Sequence, residues 1–595
     1  MRVSEHSTKP VIQNLLDVSK SVRGRKWALR CQDDGLTAEF TRQGYSLTLA
    51  QILAGRGVKP DEAENFLNPT LRTYLPDPSS FVDMDKAAVR IVDAVEAGEA
   101  ITVFADYDVD GATSAAQLIR WGRALGSKFE LYVPDRIKEG YGPTVSAFET
   151  LKANGADLVI TVDCGASADA ALNAAQGLEL PIIVIDHHMM SGDMPPAFAL
   201  VNPNRSDDHS GQGHLAAAGV SFMLLVALNR EAKRRGLDGV PDLLSFLDLT
   251  ALGTVCDVVA LTGLNRAFVA QGLKVMSAKP NPGLAALAQI ASVSPPFSTY
   301  HCGFVMGPRI NAGGRIGQPD MGARMLSSDD LGEIGGFAAE LDRINQDRRQ
   351  LQDRILREAL EQAEQLGADK QVICLAMQGW HAGVIGIVAG RLKDRFGRPA
   401  IVIGVDKHGI GKGSGRSLAG VNMGAAIHKA KELGIIQAGG GHEMAAGLTV
   451  AEEKIPEFQE FIEDNLSAQI RKAREDNTLK VDALISPSAL GPELIAEIEQ
   501  AQPFGAKMSE PVFAFAHMRI SYAKALNGGH VRCAFEDQQG LRMDAIAFRA
   551  EENGIADVLL APDPPRVHIV ARLKQNTWRG RVKIDVQISD LAIAQ

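Results

Sequence analysis

Between Glu99 and Leu200, three short β-branched apolar runs, AITVFA, DLVITV and LPIIVI, alternate with alanine-rich stretches of helical period. That alternation predicts βαβ units and a parallel sheet. Leu215–Arg235 and Leu243–Ala251 read as helices, and the apolar period from Leu331 to Leu366 predicts one long amphipathic helix. A second β-rich region is expected from Gln371 to about Ser467, followed by a charged connector, RKAREDNTLK. Beyond it the short alternating runs HVRCAF, MDAIAF, RVHIVARL and VKIDVQI predict a small β-barrel. The first 95 residues mix helical pattern with turns such as NPTLRTYLPDPSS and carry no motif of recognisable chemistry. The expected division is an N-terminal region (1–95), a parallel-sheet domain (96–325), a connecting helix (326–368), a second α/β domain (369–470) and a barrel (478–595).

Length and composition narrow the class. A chain of 595 residues needs several cores. No apolar run reaches the roughly 18 residues of a membrane span, and MRVSEHSTKP lacks the apolar core of a signal peptide, so a cytoplasmic protein is expected. Six scattered cysteines form no C-x-x-C pair and read as buried thiols of a reducing compartment. The net charge of −10 argues weakly against a nucleic-acid partner, but a local basic track can coexist with an acidic exterior. Aromatics make up 5% of the chain, so any grip on nucleic acid is expected to be mainly electrostatic.

The chemistry concentrates at the ends of the predicted strands. AITVFADYDVDG delivers Asp106, Asp108 and Asp110, DLVITVD delivers Asp163, and LPIIVIDHH delivers Asp186, His187 and His188. In open parallel sheets the ligand crevice lies beyond the C-terminal strand ends, so these groups should converge. Asp257, in ALGTVCDVVAL, can join them from a later helix end. Although D-x-D-x-D-G opens like an EF-hand, position twelve is Gln117 rather than Glu and the preceding element is a strand. An oxygen-rich set with imidazole and no thiolate suits Mn²⁺ or Mg²⁺, one or two ions. Adjacent extended residues point to opposite sides, so one histidine of the pair is expected to ligate and the other to face substrate or core.

GIGKGSGRS is not a Walker A loop, because Asp406 stands where its first glycine belongs and Gly413 follows Lys412. Its glycines, with GGGH at Gly439–His442, read either as close-approach turns for a ligand or as strand bends. Five arginines of the long helix (Arg343, Arg348, Arg349, Arg354 and Arg357) alternate with acids and read as a solvated face.

The ordered series DYDVDG, TVDCG, IDHH and GTVCDVVAL resembles the motifs of the DHH phosphoesterase superfamily. GPRINAGGRIG, GWHAGVIGIVAGRL, GKGSGRS, GGGHEMAAG and PFGAKMSEPVF extend the resemblance to its RecJ family of single-strand-specific 5′→3′ DNA exonucleases. That resemblance, running from about Leu53 onward, implies a DHH domain, a connecting helix, a DHHA1 domain and an OB-fold. It implies metal ligation by Asp106, Asp108, Asp110, Asp163, His187 and Asp257, with Asp163 bridging. Catalytic roles fall to Asp110, Asp163 and His188. Substrate contacts are implied at Arg309, Arg315, Arg391, Lys412, Ser414, Arg416, Gly441 and His442. Implied partners are single-stranded DNA and a helicase or single-strand-binding protein, with no membrane. Two departures stand out. Phe104 occupies a position where pyrophosphatase-like relatives carry a ligating histidine, which leaves Asp106 to substitute. Lys507-Met508-Ser509 replaces the family's Gly-Asn-Pro, so a different local turn is expected there. Competing readings are a phosphodiesterase of short oligonucleotides or cyclic dinucleotides, and a non-catalytic strand-binding scaffold.

Overall fold

The computed structural model describes residues 14–594 apart from 137–138, 191, 193, 368–369 and 579–580; the N-terminal MRVSEHSTKP lies outside them. The chain divides into two compact units. One comprises Glu64–Leu351 with Pro503–Ser509, the other Met1–Ala63, Gln352–Gln502 and Glu510–Gln595.

The first unit is built on a five-stranded parallel sheet. Its strands are β1 (Ile101–Ala105), β2 (Phe129–Tyr132), β3 (Leu158–Val162), β4 (Ile182–Ile185) and β5 (Ala199–Val201), in the order β2-β1-β3-β4-β5. The three apolar runs form β1, β3 and β4, every residue of which is buried, as a sheet covered on both faces requires. The sequence pattern missed β2 and β5, short runs of four and three residues. Helix α1 (Val109–Ala124) follows β1 directly, while α2 (Ala217–Arg235) and α3 (Leu247–Cys256) pack against α1. Later come α4 (Gly307–Ile316) and α5 (Leu331–Gln365). The solvated-arginine reading of α5 fails at Arg348, which is buried and bonded to Asn345 Oδ1 at 2.8 Å.

In the second unit, β6 (Ile373–Gln378), α6 (Ala382–Phe396), β7 (Ala400–Val405), β8 (Ile410–Arg416), α7 (Met423–Glu432), β9 (Ala438–His442) and β10 (Ala445–Ala451) follow in sequence. The sheet order is β9-β10-β8-β7-β6. The glycine-rich segments are therefore strands, not turns. Gly411, Gly413 and Gly415 sit where a Cβ would come within 2.8, 2.7 and 3.2 Å of Ile403, Leu448 and Met423, so they are small because the core presses on them. The charged connector is no linker either. Its first half completes α8 (Ile455–Glu475), and Thr478–Val481 forms a strand that pairs in parallel with Lys26–Leu29. The C-terminal strands β11 (Phe513–Leu526), β12 (His530–Glu536), β13 (Arg542–Ala547), β14 (Val567–Trp578) and β15 (Arg581–Ile593) close a barrel, because β11 pairs with both β12 and β14. The fold is thus α/β, with two sheet domains, a long helix between them in sequence and a terminal barrel.

Among the described residues, no helix is long and apolar enough to cross a membrane.

Candidate metal centre

The acids at the strand ends meet. Asp106 ends β1, Asp163 ends β3, and Asp108 caps α1, its Oδ1 accepting the amides of Asp110 (2.8 Å) and Gly111 (3.2 Å). A Cβ on Gly111 would lie 2.4 Å from the Asp106 carbonyl oxygen, so only glycine lets the helix start this close to the strand. Asp110, in the first turn of α1, accepts the amides of Ala217 (2.7 Å) and Ala218 (2.9 Å) at the start of α2. Two helix N-termini therefore face the acidic cluster, each offering backbone donors and a favourable dipole. Asp163 stands in the left-handed region (φ 60°), as does Val258 (φ 61°) immediately after Asp257, and the latter conformation is costly for a β-branched residue.

Three overlapping ligand groups emerge among the described residues, one of them Asp163, His187 and His188. Asp106, Asp108 and Asp163 can surround one ion, and Asp110, His187 and Asp257 another. His187 Nε2 lies 3.3 Å from Asp163, 3.6 Å from Asp257 and 3.8 Å from Asp110, placing Asp163 beside both groups. Asp106 Oδ1 and His187 Nε2 are buried without a hydrogen-bond partner, a costly arrangement unless a cation completes it. Burial first, and then neighbouring carboxylates, raise Asp106, Asp110 and Asp163 well above the ordinary range, and Asp257 to about 7. Burial and His188 lower His187 to about 4, leaving a neutral imidazole able to ligate. Orphaned ligand atoms and mutually repelling acids fit a divalent-ion site of mixed O/N donors. Phe104 stacks on Tyr132 at 5.1 Å and takes no part.

The expectation that the histidines point to opposite sides fails. Their rings lie 4.6 Å apart, and His188 also comes within ligand distance of Asp163. Strand β4 has already ended, and Asp186 Oδ1 accepts both their amides, turning the chain. His188 Nδ1 lies 2.7 Å from Asp186. Burial opposes protonation of His188, but the Asp186 carboxylate outweighs it and the net shift is upward. Asn204 and Asn202 donate to the carbonyls of His187 (2.6 Å) and His188 (2.9 Å).

Sequence reasoning missed these asparagines, Tyr141 and Arg136. Tyr141 donates to the Asp163 carbonyl at 2.9 Å and approaches His188 at 3.2 Å, while Arg136 stands 5.1 Å above the Tyr107 ring. Only the NPN and DRIKEGYG context could have flagged them, and neither has a spacing tied to a known chemistry.

The remaining substrate candidates fall in both units. Arg309 is paired with Asp342 at 2.9 Å, whereas Arg315 bears electrostatically on Tyr107. In the second unit, strand pairing puts Lys412, Ser414, Arg416 and His442 on one sheet face. Lys412 Nζ bonds to Thr449 at 3.0 Å, and Arg416 Nη1 to Ser414 at 3.1 Å. Gly441 belongs to the opposite face, where the start of α7 approaches it so closely that a Cβ on Gly424 would lie 2.7 Å from its carbonyl oxygen. Arg391 leaves this group altogether and lines a cavity of about 730 Å³ with Arg23, Arg549 and Phe548.

A parallel sheet with acids and a histidine pair at its strand ends, followed by a second sheet domain, defines the DHH class. Family models agree: the DHH family N-terminal domain matches residues 100–254, the DHHA1 domain 369–468 and the RecJ OB domain 481–590. The single-stranded-DNA-specific exonuclease RecJ of Escherichia coli is 33% identical over 563 residues, spanning 91% of this chain and 95% of that one. The crystal structure of Thermus thermophilus RecJ with Mn²⁺ superposes with a TM-score of 0.76 at 29% identity, covering 94% of this chain and 78% of that one. Its Mg²⁺ complex gives 0.72 at 29% identity, covering 95% and 78%. The chain belongs to the RecJ family of DHH phosphoesterases.

Proposed function

We propose that this protein is a Mn²⁺- or Mg²⁺-dependent exonuclease that hydrolyses single-stranded DNA from the 5′ end, releasing nucleotides in DNA repair and recombination. The observation that carries this reading is the set of ligand groups meeting at Asp163 and His187, with buried ligand atoms left unpartnered. A divalent ion bound by these residues would supply an activated water and neutralise the charge that develops on the scissile phosphate. Asp106, Asp108 and Asp163 would hold one ion and Asp110, His187 and Asp257 a second, with Asp163 beside both groups. Asp186 fixes the tautomer of His188, whose Nε2 then faces the phosphate as a hydrogen-bond or proton donor. The Lys412–Ser414–Arg416–His442 face grips strand phosphates, and Arg315 assists near the metals. The enzyme works in the cytoplasm, with a helicase or single-strand-binding protein supplying its strand.

The test is hydrolysis with Mn²⁺ of end-labelled strands, long and very short, carrying label at either end. Progressive release from the 5′ end of long strands is expected. Preference for dinucleotides or cyclic dinucleotides would favour the short-substrate reading, and strand binding without cleavage the scaffold reading.

A further inference from the structure

Two aromatic rings stand in solvent on the segment leading into α4. Tyr300 is 57% exposed and Phe304 67%, and their rings stack at 5.3 Å with 23° between planes. Phe304 lies in a wide π turn, His301–Met306, that runs directly into α4, and such turns recur at functional sites. The turn is tied to the helix that delivers a metal ligand. Cys256 Sγ donates to the Cys302 carbonyl at 3.5 Å, and Asp257 is the next residue after Cys256. The other end of α4 closes on motif one, since a Cβ on Gly314 would lie 2.6 Å from the Tyr107 carbonyl oxygen. This segment thus runs from beside Asp257 to beside Asp106 and Asp108.

Tyr300, Phe304, Pro308, Asn311 and Arg315, three or four residues apart, are each exposed or half-buried, as are His301, Gly303, Val305 and Arg309 between them, while Cys302, Met306, Ile310 and Gly314 are buried. The first five change along the segment from aromatic to polar to cationic, and the cation is at the metal end. From Phe304 to Arg315 is about 16 Å at 1.5 Å per helical residue, room for a few nucleotides. An aromatic pair leading to a cation beside a phosphate-processing centre is the recognition chemistry of a single strand, base faces on rings and phosphates on charge.

We propose that Tyr300 and Phe304 form a base-stacking platform for nucleotides downstream of the scissile phosphate. The proposal rests on the exonuclease reading and names the part of the protein that holds the bases. It adds a local stacking contribution to the mainly electrostatic grip expected from the sequence, carried by two exposed rings rather than by the aromatic share of the whole chain.

The experiment compares wild type, the Tyr300→Ala/Phe304→Ala double variant and the Tyr300→Phe/Phe304→Tyr variant as full-length protein with Mn²⁺. Substrates are an ordinary single strand and a strand made abasic beyond its first two nucleotides. The alanine variant should raise KM on the ordinary strand about tenfold or more, with kcat within twofold. The aromatic swap should restore KM, and wild type should treat the abasic strand as the alanine variant does. An unchanged KM, or an equal rise on both strands, would overturn the proposal. In parallel, a 2-aminopurine strand bound with Ca²⁺ reads stacking without turnover. Quenching by wild type but not by the alanine variant supports the platform even if no hydrolysis occurs, which would count against the exonuclease reading alone. Equal quenching by both proteins would overturn it.

Discussion

Asp186 Oδ1 lies 2.7 Å from His188 Nδ1, and the same oxygen accepts the backbone amides of both histidines. Burial alone would raise this carboxyl, yet its bonds from His188 and the Ala166 amide hold it at about 2. It stays ionised and bonded to the His188 ring and to both histidine amides. Asp186→Asn keeps an acceptor but can present its amide to the ring, disturbing the tautomer. Turnover should fall by about 10²–10⁴, the usual worth of a positioned proton donor, while Mn²⁺ affinity by calorimetry changes far less. Equal losses of both would show that Asp186 serves the metal.

Asp163 combines three liabilities: burial, like-charged neighbours and a left-handed backbone. Asparagine tolerates that backbone conformation better than alanine. Asp163→Asn should therefore abolish hydrolysis and also raise the metal-free melting temperature by about 2–4 °C, the shift that about 1 kcal/mol brings in a domain of a few hundred residues. The additional stabilisation that Mn²⁺ confers on wild type should disappear. Retained activity would rule out the bridging role.

The segment Pro503–Ser509 packs within the first unit: Gly505 and Met508 exchange backbone hydrogen bonds, Leu261 donates to Ala506 and Arg266 to Pro503. Lys507 there adopts φ 56°, a conformation that glycine takes without cost. The departure from the family's glycine thus survives as a strained residue in a closed turn. Lys507→Gly should stabilise the protein by about 0.5–1 kcal/mol, the left-handed penalty less the added flexibility of the unfolded chain. A lowered urea midpoint would show that the lysine side chain contributes more than the strain costs.

Asp248 is buried and accepts the amides of Asn281 (2.6 Å) and Leu249 (2.7 Å), with its pKa raised by burial to about 6. Because the folded value lies above the unfolded one, this group adds stability as pH falls and loses it as pH rises through about 6. Asp248→Asn removes that dependence. Between pH 8 and pH 5 the stability of wild type relative to the variant should rise by about 1 kcal/mol, since a tenfold difference in proton affinity between folded and unfolded states is worth about 1.4 kcal/mol. Parallel urea titrations at the two pH values check this; a difference independent of pH would contradict it.

The covalent order of residues determined the chemistry and much of the scaffold by itself. β1, β3 and β4 are short β-branched runs between helical stretches, and a parallel sheet places whatever follows such runs at one edge. Asp106, Asp163 and the histidine pair could therefore be gathered on paper. Tertiary contact decided what local pattern does not encode. The two histidines share a side because Asp186 turns the chain after the strand has ended. The glycines of GKGSGR are small because Ile403, Leu448 and Met423, distant in sequence, press on them. Arg309 is paired because Asp342, distant in sequence, packs beside it, and Arg391 lines a cavity with Arg23, Arg549 and Phe548. The value of Tyr300 and Phe304 lies in where a π turn carries them. Periodicity reports which side of an element is apolar; which partner meets each side is set by packing among residues far apart in the chain.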